Sequence, residues 1–323
     1  VPLDQLAVAL AAHGAFLALD PPGEPYRTLG GALAAAAPGP LAARFGPPRD
    51  QVLGLTAVAG NGTVFRTGGR VVKNVAGFDL AKVVIGGHGA FGIIRSVHLR
   101  LRALPAEDLT AGWVGTRERV AAAAARLLAA GAMPAAMEVV SPALAATLGI
   151  GREWTLMVRA LGTPEGVEEE LDWVDEQVRP AGLAATDGPD DVWGRWRPAV
   201  GSYPVLVRIG ADPGAWTAAA DLAVRWLGDS AALSVTVPRG TVRACAGEAE
   251  AVRIQALRRD CAARGWPVTL ERGPAELRRY CGIWGELPPG LARLTERVRA
   301  VFDPNGVFAV PLSALSSNGT AAA

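Results

Sequence analysis

At 323 residues the chain has length for about two domains of roughly 150 residues, each able to bury its own core, which excludes a peptide or a single small module. Thirty-two basic against 31 acidic side chains leave a net charge of +1 with no block of like charge, which argues against a nucleic-acid or anionic-membrane surface. Half of the residues are hydrophobic and mean hydropathy is +0.23, yet the richest stretch, Val120 to Met137, is mostly alanine broken by Arg126, Gly131 and Pro134, short of the ~20 apolar residues of a spanning helix.

Three cysteines, Cys245, Cys261 and Cys281, lie too far apart for a C-x-x-C metal pair, and three histidines, His13, His88 and His98, are too few for a histidine-rich metal centre. A reducing compartment is the simplest reading. No Lys or Arg precedes Arg27, so Leu6 to Leu19 lacks the positive flank of a secretory signal, and the expectation is a cytoplasmic protein.

In chain order, Leu3, Leu6 and Leu10 fall at helical spacing, with Asp4 as the expected cap and Gly14 as the stop. Phe16 to Leu19 reads as a short strand closed by Pro21 and Pro22, and a passage rich in glycine and alanine follows from Leu29 to Gly46. Val52 to Val58, the turn Gly60-Asn61-Gly62, and Thr63 to Arg66 form a predicted hairpin, because Asn-Gly supplies the positive φ angles of a tight turn. Ile93 to Leu101 alternates as a strand, with His98 on its polar face. Beyond Ala106 one unit occurs twice: strand Trp154 to Ala160 with Thr163-Pro164 and a helix, then strand Val205 to Ile209 with Asp212-Pro213 and a helix. A capping oxygen before a proline at the first helical position marks both helix starts. These units predict an α+β cap domain with helices on one face of an antiparallel sheet. A further helix, Glu248 to Arg264, ends at Gly265 and turns Cys261 inward as a buried, inert thiol.

Gly87-His88-Gly89-Ala90-Phe91-Gly92 satisfies G-x-G-x-x-G, but a strand follows it where a nicotinamide dinucleotide fingerprint requires a helix. Glycines between extended segments instead offer close backbone approach to a phosphate or a flat ring. The only two lysines, Lys73 and Lys82, both lie in KNVAGFDLAK, where Asn74, Gly77 and Asp79 add an amide, flexible backbone and a carboxylate able to orient a ligand. In Trp193-Gly194-Arg195-Trp196-Arg197, two guanidiniums beside indoles suit either a substrate carboxylate or a packed junction between domains.

The segments TLGGALA (28 to 34), RFGPPRDQVLG (44 to 54) and NGTVFRTGGRVVKNVAGFDLAKVVIGGHGAFGIIRSVHLRL (61 to 101) resemble the FAD-binding domain of the FAD-linked oxidase superfamily, the PCMH or vanillyl-alcohol-oxidase type. Within it, KNVAGFDL and the closing RVRAVFDPNGVFAV (297 to 310) are most similar to the FAD-binding subunit of bacterial glycolate oxidase. The resemblance implies an α+β protein: a partial PCMH-type FAD-binding domain over 1 to 105, without the N-terminal half that normally grips the pyrophosphate, a cap domain over 106 to 312, and a flexible tail over 313 to 323.

It also implies FAD as cofactor. Gly30 and Gly31 then lie at a loop approaching the flavin, Gly46 and the Arg49-Asp50 pair near the cofactor, and Gly86, Gly89, Gly92 and Ile94 beside the adenine and ribose, while Lys73, Asn74 and Asp79 line the inner wall. Arg49-Asp50 reads equally well as a surface ion pair. The implied activity is oxidation of a small 2-hydroxy acid, glycolate or D-lactate. The implied partners are a catalytic flavoprotein subunit and an iron-sulfur subunit, through which the chain would be held at the inner membrane. No histidine follows His98, where competent relatives carry histidine motifs in the cap, so an assembly subunit that has lost its flavin is the alternative.

Overall fold

The computed structural model describes residues 1–24, 26–69, 79–186, 191–308 and 310. Helix α1 (Leu3–Ala11) starts after Pro2, and Asp4 lies in its first turn rather than at the cap, because Pro2 already supplies the extended entry. Strand β1 (Ala15–Phe16) is shorter than predicted: it has only Arg102–Ala103 (β5) to pair with, and Leu19 leaves the ladder to join the core beneath α1. Helix α2 (Leu29–Ala35) runs through the glycine-rich stretch expected as a loop. Thr28 makes this possible, its hydroxyl accepting the Gly31 N–H at 3.2 Å as an N-cap.

Helix α3 (Ala42–Phe45) and a 3-10 turn, Pro48–Gln51, lead into a three-stranded antiparallel sheet of order β3-β2-β4, with β2 (Val52–Val58), β3 (Val64–Gly68) and β4 (Ile93–Leu99). The predicted hairpin joins β2 to β3: Gly62 has φ +82° and the Asn61 side chain accepts the Thr63 N–H at 3.0 Å. Helix α4 (Ala81–Val84) precedes the glycine loop that enters β4. His98 is exposed, as the alternation predicts.

An eight-stranded, wholly antiparallel sheet follows, built from β6 (Glu107–Gly115), β7 (Ala136–Val140), β8 (Trp154–Gly162), β9 (Ala184–Thr186), β10 (Val205–Gly210), β11 (Ala232–Thr236), β12 (Thr241–Ala246) and β13 (Val268–Arg272). Its order is β13-β10-β12-β11-β7-β8-β6-β9. Helices α5 (Arg117–Ala129), α7 (Pro164–Val178), α9 (Trp216–Leu227) and α10 (Ala251–Ala262) cover one face over the main core. Contrary to the expectation of helices on one face only, α6 (Pro142–Leu148) and α8 (Val192–Ser202) pack on the other. The central strands β7, β11 and β12 are buried at every position, and a strand closed off on both sides needs cover on both.

Thr163 caps α7 with Pro164 in the first turn, as predicted. The second proline start differs: Asp212 leaves its carboxylate to Trp266 Nε1 at 3.4 Å, Pro213–Ala215 forms a 3-10 turn, and α9 begins at Trp216. Cys261 is fully buried and its thiol is pushed up to about 11 by burial, which fits the inert reading. The tryptophan-arginine segment is a packed junction: Trp196 is fully buried in α8, Gly23 N–H donates to the Arg197 carbonyl at 2.8 Å, and Arg197 Nε reaches the Pro21 carbonyl at 3.4 Å.

Helices α11 (Ala275–Cys281) and α12 (Pro289–Phe302) close the chain. The latter returns to the small sheet, where Phe302 lies 5.2 Å from the Phe65 ring and accepts the Gly60 N–H at 2.7 Å. Asp303 fixes the turn after it by accepting from Val307 and Phe308 N–H, each at 2.7 Å. Among the described residues no helix is long and apolar enough to cross a membrane.

Candidate cofactor cleft

The glycine loop between α4 and β4 is held by the end of α2: Gly86 N–H donates to Leu33 O at 3.1 Å and His88 N–H to Ala34 O at 2.9 Å. These bonds satisfy carbonyls that the last turn of a helix leaves open. Gly86 (φ +84°), His88 (+51°), Gly89 (+87°) and Gly92 (+140°) all adopt positive φ, so the loop doubles back in a way that L side chains resist. A Cβ at Gly86 would lie 3.2 Å from Ala36 Cβ, whereas Gly89 has no atom within 4 Å of that position and presents bare backbone to open space.

The loop forms one lip of a cleft of about 750 Å³, within the ordinary range for ligand sites. Arg49, Asp50 and Lys82 also line it, with Arg208 and Thr241 from the large sheet, Arg239 from the 3-10 turn before β12 and Trp284 after α11. Four cations thus face one carboxylate. The His88 and Trp284 rings meet edge to face at 6.2 Å. Burial pushes the His88 imidazole down to about 4, with the Arg208 and Arg27 charges acting in the same direction and Glu271 against them. At neutral pH the ring is uncharged.

Behind the cleft, the sheet face turned toward the first 105 residues carries buried charge. Arg208 and Arg243 stand opposite each other on β10 and β12, and Glu271 of β13 accepts from both, at 2.6 Å from Arg208 Nε and 2.9 Å from Arg243 Nε. Arg243 also donates to the Pro38 carbonyl and so ties the sheet to the loop after α2. Burial pushes the Glu271 carboxyl up, but the two guanidiniums outweigh it and hold it below its ordinary value. Farther along the same face, Glu138 accepts the Ser234 hydroxyl at 2.6 Å and Ser234 Oγ accepts Trp196 Nε1–H at 2.9 Å. Glu138 Oε1 is buried with no hydrogen-bond partner among the described residues, and burial pushes this carboxyl up to about 7. Asp20, accepting the Leu41 N–H at 3.0 Å, is pushed up to about 6 by burial.

Of the residues singled out from sequence, Arg49, Asp50 and Gly86 line this cleft together. Gly89 and Gly92 belong to its loop, the latter with its Cβ position 3.1 Å from Val58 O. Gly46 (φ +85°) ends α3 against the Asp50 side chain. Gly30 and Gly31 lie in the first turn of α2 rather than in a loop, with the Gly31 N–H committed to Thr28. Ile94 packs between the small sheet and α2. Asp79 pairs with Lys82 at 3.4 Å with both side chains more than half exposed, an ion pair worth little. Lys73, Asn74 and Gly77 lie outside the described residues. Sequence reading missed Asp20, Glu138, Arg208, Arg243 and Glu271 and left His88 without a role. The one signal for them was a lone charge inside an apolar strand: Arg208 in VLVRIG, Arg243 in TVRACA and Glu138 in AMEVV.

Residues 1–68 match the family described as "FAD binding domain". Similar curated proteins include the mitochondrial D-lactate dehydrogenase [cytochrome] of Arabidopsis thaliana, 39% identical over 102 residues, which are 32% of this chain and 18% of that protein. Glycolate oxidase subunit GlcD of Bacillus subtilis is 32% identical over 133 residues (40% of this chain, 28% of that protein), and glycolate oxidase subunit GlcE of Escherichia coli 36% over 111 (34% and 31%). The chain thus spans less than a third of the length of each of these relatives. Two solved structures of alkyldihydroxyacetonephosphate synthase superpose with TM-scores of 0.62 and 0.65 at 15% identity, covering 94% of this chain and 61% of theirs, so the α+β fold is shared.

The cleft suits a cofactor with two phosphates and a flat ring system. Lys82, Arg49, Arg208 and Arg239 supply cations, and the backbone of Gly86 and Gly87 lines the cleft, the Cβ position of Gly86 being only 3.2 Å from Ala36 Cβ. Residues 1–68 thus match the FAD binding domain family, the chain is similar over part of its length to glycolate oxidase subunits and D-lactate dehydrogenases, and these matches support FAD as its cofactor.

Proposed function

We propose that this chain is a subunit of a complex that oxidises a small 2-hydroxy acid, glycolate or D-lactate, alongside a catalytic flavoprotein subunit and an iron-sulfur subunit. Residues 1 to 105 form the flavin-holding part and 106 to 312 the cap. The observation that carries this reading is the joining of a left-handed glycine loop and a cationic sheet wall on one cleft of about 750 Å³. Gly86 and Gly87 meet the cofactor through backbone, and Lys82, Arg49 and Arg239 meet its phosphates. FAD, when bound, supplies acceptance of two electrons from the hydroxy acid. Arg208, held by Glu271, contributes a fixed positive charge in the cleft wall, and Trp284 narrows solvent access.

Anaerobic mixing of the purified complex with glycolate or D-lactate tests the reading. Bleaching of the visible flavin band assigned to this subunit is the expected result. A complex in which this subunit carries no flavin overturns it in favour of an assembly role.

A further inference from the structure

Helix α12 uses little of its surface for packing. Ala292, Thr295, Arg299 and Phe302 turn toward the molecule, yet none of the 14 residues is fully buried. Leu291, Leu294 and Val301 stay between 49% and 72% exposed. At about 100° of turn per residue they fall on one apolar stripe. Arg293 and Arg297, both exposed, run along its outer border, and Glu296 lies on the far side of the helix. Neither arginine makes a salt bridge among the described residues.

Helix α7 has the opposite character: its 15 residues carry seven acidic side chains and no basic one. Two of the seven are engaged, Glu170 at 3.9 Å from Arg44 and Asp175 at 3.0 Å from Arg179. Glu165, Glu168, Glu169, Asp172 and Glu176 are exposed and make no salt bridge among the described residues. They stand three or four positions apart on one ridge, a spacing at which like charges repel and weaken the helix that carries them. Trp173, 36% exposed, borders this ridge, a large ring that the core leaves partly uncovered. Within one copy the two helices are packed on different sheets, α7 over β6 and β8 and α12 against Phe91 and Phe65.

The helices match in length, at 15 and 14 residues, or about 21 to 22 Å, and each offers what the other lacks. We propose that α7 of one copy of this chain docks on α12 of a second copy, with Trp173 on the stripe of Leu291, Leu294 and Val301 and the acidic ridge against Arg293 and Arg297. Two α12 helices, or two α7 helices, would bring like charges together, so the contact joins different surfaces of the two copies. One helix pair lies at the low end of interface size, so the association is weak and responds to concentration and to salt.

Sedimentation velocity of the full chain tests the pairing. Between about 5 and about 200 µM at low salt the parent should pass from monomer to larger species. Raising salt to about 0.5 M, where the Debye length is about 4 Å, should cut the association at least about fivefold. Glu168→Gln, Glu169→Gln and Asp172→Asn made together neutralise the middle of the α7 ridge, and Arg293→Gln with Arg297→Gln neutralises the border of the α12 stripe. All of these positions are exposed, so the melting temperature should hold. Each variant alone should stay monomeric, while an equimolar mixture should form a 1:1 dimer, because each supplies the surface the other has lost. A parent that stays monomeric throughout, variants that associate as the parent does, or a mixture that stays monomeric overturns the pairing. In the first case, loss of a partner subunit from the α12 variant on co-purification assigns that face to the partner instead. Flavin content does not enter this readout, so the result stands apart from the proposed function.

Discussion

Arg208 and Arg243 face each other across two antiparallel strands and share a single carboxylate, Glu271, whose side chain is only 7% exposed. Like charges directly opposite on a ladder repel, so the acid between them is what makes the arrangement stable. Glu271→Gln leaves two guanidiniums without an anion, one of them fully buried. Removing one partner of a buried pair costs about 3 kcal/mol or more, and the urea midpoint should fall accordingly. A midpoint unchanged within error would mean that the cluster is solvated.

Glu138 predicts a dependence of stability on pH. Its folded-state carboxyl is pushed up to about 7 by burial, above the ordinary 4.5, so the folded chain binds a proton more tightly than the unfolded one. Its contribution is fully present below pH 4.5 and is lost as pH rises through 7. Glu138→Gln keeps an acceptor for Ser234 and removes the titration. The variant should match the parent near pH 5 and exceed it by about 2 kcal/mol at pH 8. Denaturant unfolding at both pH values checks this, and equal differences at the two would contradict it.

The closing segment supplies a third expectation. A Cβ added at Gly60 would lie 2.9 Å from Asp303 Cγ, and Asp303 cannot turn aside without releasing the Val307 and Phe308 N–H groups. Gly60→Ala should cost about 1–3 kcal/mol through that clash. Combined with Asp303→Ala, which removes the obstacle, it should cost less than the sum of the single changes, a coupling that a double-mutant cycle measures.

Local chemistry in the sequence specified local structure well. The Asn61-Gly62 turn, the Thr163-Pro164 helix start and the alternation that exposes His98 all stand as read. Gly30 and Gly31, which the resemblance puts in a loop, are helical because their low helix propensity is offset by the Thr28 cap and by burial of Leu29, Ala32 and Leu33. The charged sheet face was hidden for a different reason. Arg208, Arg243 and Glu138 come from three strands whose register is set by hydrogen bonding between segments up to a hundred residues apart, and each alone looks like a polar position in an apolar run. The cleft itself needed the return of Trp284 to the glycine loop, a contact of residues nearly two hundred positions apart.

The central claim is that the Gly86–Gly92 loop holds FAD in this cleft, and the most direct test is the FAD-to-chain stoichiometry of the protein isolated with its partner subunits, with and without Gly89→Val. At φ +87° a β-branched residue is strained, and its side chain would project into the space left open by the bare backbone. The account predicts stoichiometric FAD in the parent and at least about a tenfold loss of FAD affinity in a variant whose melting temperature shows it folded. Absence of FAD from the parent, or full FAD occupancy in folded Gly89→Val, would contradict it.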